Sequence, residues 1–429
     1  MLRRIYVDNF RSFSNFELKL DRRSLWMGSN GSGKSSLMDL LARVRRFVLD
    51  GKWADDCFPL REHTRWMTNP RQTIELEFVL DDTSYLYRLV TEPVGAEQRP
   101  RVAEEIVKCG EREIFAFRLG EIQLYNDKFE PKVKFHTNWH RSGLGIVEPR
   151  PDNQVLTRLK RFLSSIWCFQ PNPFAMLGDA TKEKDEPSQD LSDFVAWYRH
   201  LRQSNPDRDE HYLDALREVV DGFQFFRITP SGEARILEAE FSSKEGLSAK
   251  FGLRELSDGQ RCLFALYAIA YFLLKDPGVV IIDEPDNFVA LREIQPWLLA
   301  VDDILEASPS QLVLISHHPE ILNQWAPEHG VVFFREPNGP TRTKRFHRES
   351  HEPLTPSESW REAGNMNKPS EVIVLAEDRR QQNFARGYLK SWGYEKRKVR
   401  FLALPAGRGA GEQYVRGRFP DELRACARN

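Results

Sequence analysis

Gly28, Ser29, Asn30, Gly31, Ser32, Gly33, Lys34 and Ser35 run consecutively and are followed by Ser36. Glycines at this spacing let backbone N–H groups close around a polyphosphate, and a following helix would add its positive N-terminal end. A lysine at Lys34 reaches the outer phosphates as a compact cation, and a hydroxyl at Ser35 suits the coordination sphere of Mg2+. The flanks fit this chemistry. Ser24-Leu25-Trp26-Met27 is a short apolar run, and Leu37, Leu40, Leu41 and Val44 follow at helical spacing. The loop is therefore expected at a strand-to-helix junction, with Gly28, Asn30, Gly31, Ser32, Gly33, Lys34, Ser35 and Ser36 as the nucleotide-binding set.

A second cluster carries acid. Val279-Val280-Ile281-Ile282 is a continuous β-branched run ending in Asp283, Glu284 and Pro285. Read alone, it is a core strand closing in an acidic turn. Beside a phosphate loop, Asp283 can serve the hydration shell of Mg2+ and Glu284 can take a proton from an attacking water. Two further stretches have the right residue types. Leu256-Ser257-Asp258-Gly259-Gln260 puts a serine at the start of an apolar helix, a good N-cap and a potential anion site. Ser316-His317-His318-Pro319 follows the strand Leu312-Val313-Leu314-Ile315.

Together these segments resemble ABC-type P-loop ATPases outside the transporter group. The Ser257 segment is similar to the LSGGQ signature, with Asp258 where the first of its two glycines stands. The resemblance implies that Ser257, Gly259 and Gln260 meet the γ-phosphate of a nucleotide held by a second copy. It also implies a switch histidine at His317, with His318 as the alternative. Gln170, in Trp167-Cys168-Phe169-Gln170-Pro171, would be a Q-loop ligand toward the metal. Arg11, in Asn9-Phe10-Arg11-Ser12-Phe13, is similar to the arginine that precedes the phosphate loop in SMC and RecF-type ATPases. The likeness covers residues 1–335. The interval between Ser35 and Ser257 lacks sustained heptads, which excludes a long coiled coil. What remains is the compact OLD-like and RecF-like (AAA_21-type) group, and LSDGQR, DEPDNFV and SHHPEIL resemble the OLD-like members of bacterial anti-phage defence. The resemblance implies ATP and Mg2+ as cofactors and catalytic roles for Lys34, Glu284 and His317. It implies Ser35, Asp283 and Gln170 at the metal, and a head-to-tail dimer that hydrolyses ATP to control an effector protein or DNA engagement. A RecF-like repair ATPase and an ATP-locked scaffold are the alternatives.

The elements expected to hold these residues are of α/β class: a mostly parallel sheet flanked by helices, with an antiparallel β lobe and a helical lobe. The ATPase domain is expected over 1–336. Within it, alternating segments over 72–140 suggest the antiparallel lobe, and 154–256 suggest the helical, signature-bearing lobe. Residues 260–275 are apolar on almost every face, as in a fully buried helix. Residues 337–370, rich in Pro, Ser, Glu, Arg and His, suggest a linker. Over 371–429 a small βαβ piece begins with Val372-Ile373-Val374-Leu375-Ala376 and then Glu377 and Asp378. This resembles the start of a Toprim nuclease domain without the later Asp-x-Asp pair. A Rossmann-like docking module is the other reading.

Charge divides the chain. Residues 367–429 hold 14 Lys and Arg against 7 Asp and Glu, and the remainder holds 48 against 56, so a net charge of −1 hides a basic tail. That tail could meet nucleic acid or the acidic body. The longest apolar stretch, Cys262 to Leu274, is too short for a bilayer, and no membrane partner is expected. The N-terminal residues lack a secretory apolar core, and the 5 scattered cysteines show no paired spacing. Both features suggest a cytoplasmic protein with reduced thiols.

Overall fold

Four motif-bearing loops leave one edge of one sheet. In the computed structural model, which describes residues 1–243, 245–336, 339–346, 372–374 and 399–401, six strands pair in a fixed order. That order is Ile166–Phe169, Val279–Asp283, Gln311–Ile315, Arg23–Met27, Gly330–Arg335 and Thr341–Arg345. The first five run parallel and the last is antiparallel. Because parallel strands share a direction, the ends at Phe169, Asp283, Ile315 and Met27 all open on the same side. Open α/β sheets bind ligands at that carboxyl edge. The strands Val279–Asp283 and Gln311–Ile315 are buried at every residue, which explains their uninterrupted apolar character. Helices Lys34–Leu49, Leu291–Ala307 and Pro319–His329 accompany them. The chain has the α/β architecture its strand–helix alternation predicts.

A second sheet of eight antiparallel strands joins the N-terminal pair Leu2–Asp8 and Phe16–Lys19 to the strands between Gln72 and His136. Its longer strands alternate buried and half-buried residues, as at Gln72–Leu80. Strand Arg99–Cys109 is less legible from sequence, because its inward positions include Glu105. That carboxylate is fully buried and accepts from Tyr87 Oη, Ser142 Oγ and the N–H groups of Gly143 and Leu144. Burial raises its pKa against the pull of those donors.

The third layer holds helices Phe194–Ser204, Pro206–Val219 and Asp258–Ala268 beside a small sheet built on Phe223–Ser231 and Ala234–Ser242. Tyr198, Tyr212, Phe223, Phe226 and Phe264 pack between them in tilted and edge-to-face pairs. Within Asp258–Ala268, every residue from Cys262 onward is buried.

The segment expected as a linker behaves differently where it is described. Thr341–Arg345 is a strand that pairs with Gly330–Arg335 and extends the central sheet. Its outward Arg and Lys residues give the stretch a linker-like composition, while edge pairing supplies its order. The chain divides into two units, Met1–Ser357 and Glu358–Asn429. In the second, Val372–Val374 and Val399–Phe401 pair in parallel, with Ile373 opposite Arg400. Glu377, Asp378 and the remainder of the expected Toprim-like piece lie outside the described residues.

One side chain ties the two large sheets together. Gln311, fully buried at the start of its strand, accepts from Leu2 N–H at 2.9 Å and donates to Leu2 O at 3.0 Å and Asp21 O at 2.8 Å. Gln311→Leu keeps the volume but strands three backbone groups away from water. It should lower unfolding free energy by about 2–4 kcal/mol, measured by urea denaturation. An unchanged midpoint would show that these bonds carry no net stability.

Candidate nucleotide site

The loop after Met27 is shaped by glycines at two positions where a side chain has no room. Gly28 and Gly33 have φ of +154° and +111°. A Cβ on Gly28 would stand 2.2 Å from Phe333 O, and one on Gly33 would stand 2.9 Å from Thr341 Oγ1. Left-handed backbone and close contact together require glycine. The loop is also held from below: Thr341 Oγ1 donates to Ser32 O at 2.9 Å and lies 2.8 Å from Ser12 Oγ. Ser29, Asn30 and Gly31 stay exposed at the tip, whereas the Ser32 hydroxyl is buried without a partner.

Lys34 opens the helix Lys34–Leu49 and folds back over the loop. Its Nζ donates to Gly28 O at 2.5 Å and Ser29 O at 3.3 Å, and the residue is only 7% exposed. Burial lowers its pKa, while Asp283 and Glu284 nearby pull it back up. Asp283, 3% exposed, is raised by burial and by Glu284 and Asp286; a hydrogen bond from Ser35 and the charge of Lys34 oppose this. A hydroxyl next to a buried carboxylate is a hard-oxygen pair of the kind Mg2+ prefers when substrate phosphates and water fill its other positions. The described residues form no cluster of three or more His, Cys, Asp or Glu that could hold a metal by themselves. The donors fit a cation that arrives with a polyphosphate.

Glu284 is held in a left-handed conformation, φ +51°, an uncommon state for a residue with a side chain. Its N–H donates to Ile315 O at 2.8 Å, and its carboxylate accepts from Asn287 Nδ2 at 2.5 Å. The next turn is equally ordered. Ser316 Oγ donates to Asp286 Oδ1 at 2.6 Å and accepts from His318 N–H at 2.9 Å. His318 Nδ1 accepts from Glu320 N–H at 3.3 Å and so caps the helix Pro319–His329. His317 is the neighbour of Lys34, Glu284 and Asp286. Burial, then Lys34, keeps its imidazole below the usual pKa, and its Nε2 is buried without a partner. Gln170 follows the strand paired in parallel with the Asp283 strand. It is exposed, with its N–H bound to Gln189 O.

Two further expected ligands are bonded to residues outside the phosphate loop. Ser257 caps the helix Asp258–Ala268: Gln260 N–H donates to its Oγ at 3.3 Å and Gln260 Oε1 accepts from its N–H at 3.1 Å. Asp258 pairs with the mostly buried Arg261, which also donates to Pro173 O at 2.6 Å, and a Cβ on Gly259 would meet Phe288 O at 2.8 Å. None of the hydrogen bonds of Ser257, Asp258, Gln260 or Arg261 reaches the phosphate loop of the same chain. Arg11 is the second case. Its guanidinium is shared between Glu62 at 2.5 Å and Asp39 at 2.7 Å, and Arg43 binds the same two acids. Arg11 is thus part of an ion-pair lattice with Asp39 and Arg43 of the helix Lys34–Leu49. Ser12, Asn287 and Ser316 also shape the site from within segments the sequence singles out, whereas Thr341 lies in a stretch with no motif.

Residues 27–323 match the family described as "AAA domain, putative AbiEii toxin, Type IV TA system". No curated protein matches the chain. Among solved structures, an SMC head bound to the C-winged helix domain of ScpA is 11% identical with a TM-score of 0.49. That alignment covers 81% of this chain and 98% of that one. The SMC head domain from Thermotoga maritima is 11% identical with a TM-score of 0.43, over 81% and 99%. A Pyrococcus furiosus-derived Smc head with an extended coiled coil, bound to the C-terminal domain of ScpA, is 10% identical with a TM-score of 0.47, over 86% and 100%. No helix among the described residues is long and apolar enough to cross a membrane. The family match spans well over half of the sequence, and the chain belongs to the AAA_21 family of P-loop ATPases.

Proposed function

We propose that the protein binds ATP with Mg2+ and hydrolyses it in a head-to-tail dimer, and that this cycle controls an effector in bacterial anti-phage defence. The carrying observation is that Lys34, Asp283, Glu284 and His317 meet at one sheet edge with polar capacity left unused. The His317 Nε2 and Ser32 Oγ have no partner, and the Lys34 ammonium rests on backbone carbonyls it can exchange for phosphate oxygens. Mg2+, when bound, supplies charge neutralisation at the outer phosphates, with Ser35 and Asp283 as its protein ligands. Glu284 accepts a proton from water as the water oxygen attacks the γ-phosphorus and the bond to the ADP oxygen breaks. Asn287 fixes the carboxylate that takes this proton. His317, neutral because burial and Lys34 disfavour its cation, can donate a hydrogen bond to the γ-phosphate.

Ser257 is exposed and its side chain bonds only within its own turn, which supports its use on a second copy. The family description, with its toxin and Type IV TA system, supports an effector or toxin output. A RecF-like repair role would require duplex DNA binding by residues 1–336 without an effector, which a gel-shift assay with and without ATP distinguishes.

Glu284→Gln keeps size and hydrogen-bonding capacity while removing proton acceptance. Phosphate release should fall about 10²–10⁴-fold, with ATP binding retained and the dimer trapped. Near-normal turnover would remove Glu284 from the mechanism. The composite site has its own test. Ser257→Arg and Lys34→Ala should each be inactive alone, whereas their mixture contains heterodimers with one intact site. ATP-dependent dimerisation of the mixture, followed by light scattering, should recover. Failure of both dimerisation and phosphate release to recover would exclude pairing in trans.

A further inference from the structure

Three rings form a row on the antiparallel lobe. Trp53, His140 and Trp139 follow one another with centroids 6.3 and 6.4 Å apart. Trp53 lies just beyond the helix Lys34–Leu49, at the end opposite Lys34. Its 16 residues at about 1.5 Å each put about 24 Å of helix between this row and the phosphate loop. Trp139 is 37% exposed and Leu119 is 60% exposed, and both line an open groove of about 440 Å³ with His136 and His140.

Guanidinium groups interleave with these rings. Arg101 stands 4.7 Å from the Trp139 centroid, and Arg141 and Arg99 stand 4.5 and 5.9 Å from that of Trp53. Glu92 pairs with Arg101 and Asp55 with Arg99, both at 2.8 Å, which fixes two of the three cations. Arg141 is exposed and makes no ion pair among the described residues. The segment that presents the row is pinned by its own backbone. Val102 N–H donates to Trp139 O at 2.7 Å, Ala54 N–H donates to His140 O at 2.8 Å, and His140 Nδ1 donates to Pro100 O at 2.8 Å. Rings and cations are therefore set in place before any ligand arrives, which lowers the ordering cost of binding.

We propose that Trp53, Trp139 and Arg141 form a binding site for a single-stranded nucleic acid, whose bases stack on the rings and guanidinium planes and whose phosphates meet Arg141. Alternating rings and arginines match both halves of such a strand. The rings offer faces to bases of any sequence, and the cations meet the backbone. Arginines placed among the rings disfavour an apolar protein face, and a duplex keeps its base faces stacked out of reach. The site is independent of the nucleotide reading and lies outside the basic tail.

The test follows the fluorescence anisotropy of labelled oligo-dT and oligo-rU of about 12 nucleotides on the intact 429-residue chain. An abasic strand of equal length reports phosphate contacts alone. Binding of either base-bearing strand supports the site, and their ratio tells DNA from RNA. Trp139→Ala should weaken the base-bearing strands about tenfold and leave the abasic strand unchanged. Trp139→Phe should recover most of that loss. Arg141→Ala should weaken all three strands and reduce the slope of log affinity against log salt by about 0.7, the value of one phosphate contact on a single strand. Parent affinity in Trp139→Ala overturns the site and assigns any binding to another surface, such as the basic tail. An equal loss on the abasic strand overturns it too, because the ring would then only shape its loop. So does equal affinity of the parent chain for a duplex of the same length, or no binding of either single strand at low salt. Matched thermal melts verify that each variant is folded, and an unchanged salt slope in Arg141→Ala overturns the site however Trp139→Ala folds.

Discussion

The site depends on the parallel pairing of Arg23–Met27, Gln311–Ile315 and Val279–Asp283. Ile315 stands opposite Asp283 on one side and Trp26 on the other, so three chain segments far apart in sequence end in register. Where these strands end, backbone pairing stops and polar groups can be exposed to a ligand. Lys34, Asp283, Glu284 and His317 all lie within a few residues of those ends. Their convergence is a result of strand order, and it is maintained by apolar burial on both faces of the sheet. Gln311 then locks the antiparallel sheet to the same strand, so the lobe that carries Arg11 and Trp139 is held to the central sheet.

The geometry at that edge is costly in isolation. A buried lysine, a buried aspartate and a left-handed glutamate each oppose folding by some fraction of the few kcal/mol that separate native from unfolded states. They are tolerated because each is over-determined: Lys34 by two carbonyls, Glu284 by Ile315 and Asn287, Asp283 by Ser35. What remains unsatisfied, at His317 Nε2 and Ser32 Oγ, is the capacity that a polyphosphate would meet. A strained residue, Glu284, and two unpartnered groups therefore coincide with the proposed chemistry.

The signature-like turn obeys a different rule. Asp258 replaces a glycine of the motif it resembles, and an added carboxylate near phosphate would be unfavourable by itself. The ion pair with Arg261 offsets that charge, and its place in the first helical turn favours it through the helix dipole. Arg11 shows the same economy in reverse. Glu62 and Asp39 neutralise it within the lobe, and the hydrogen bond from Arg11 holds the Glu62 carboxyl below its usual pKa.

The residues of the phosphate loop and the acid-ended strand are recognisable from sequence because their chemistry is local. Gly28, Gly33, Lys34 and Ser35 act within one turn, and the Val279–Asp283 run announces its burial by composition. The α/β class follows from the same strand–helix alternation. Other features are set only by contacts between distant segments. Thr341 looks like part of a charged linker until its strand pairs at the sheet edge and its hydroxyl meets Ser32. Whether His317 or His318 faces the site depends on which ring caps the following helix, a choice made by Ser316 and Asp286. Arg11 resembles a phosphate ligand in its short motif, yet Glu62 and Asp39, 51 and 28 residues away, take its guanidinium. Local propensity and spacing determine which residues could do the chemistry. Long-range pairing decides which of them have a free atom pointed at it.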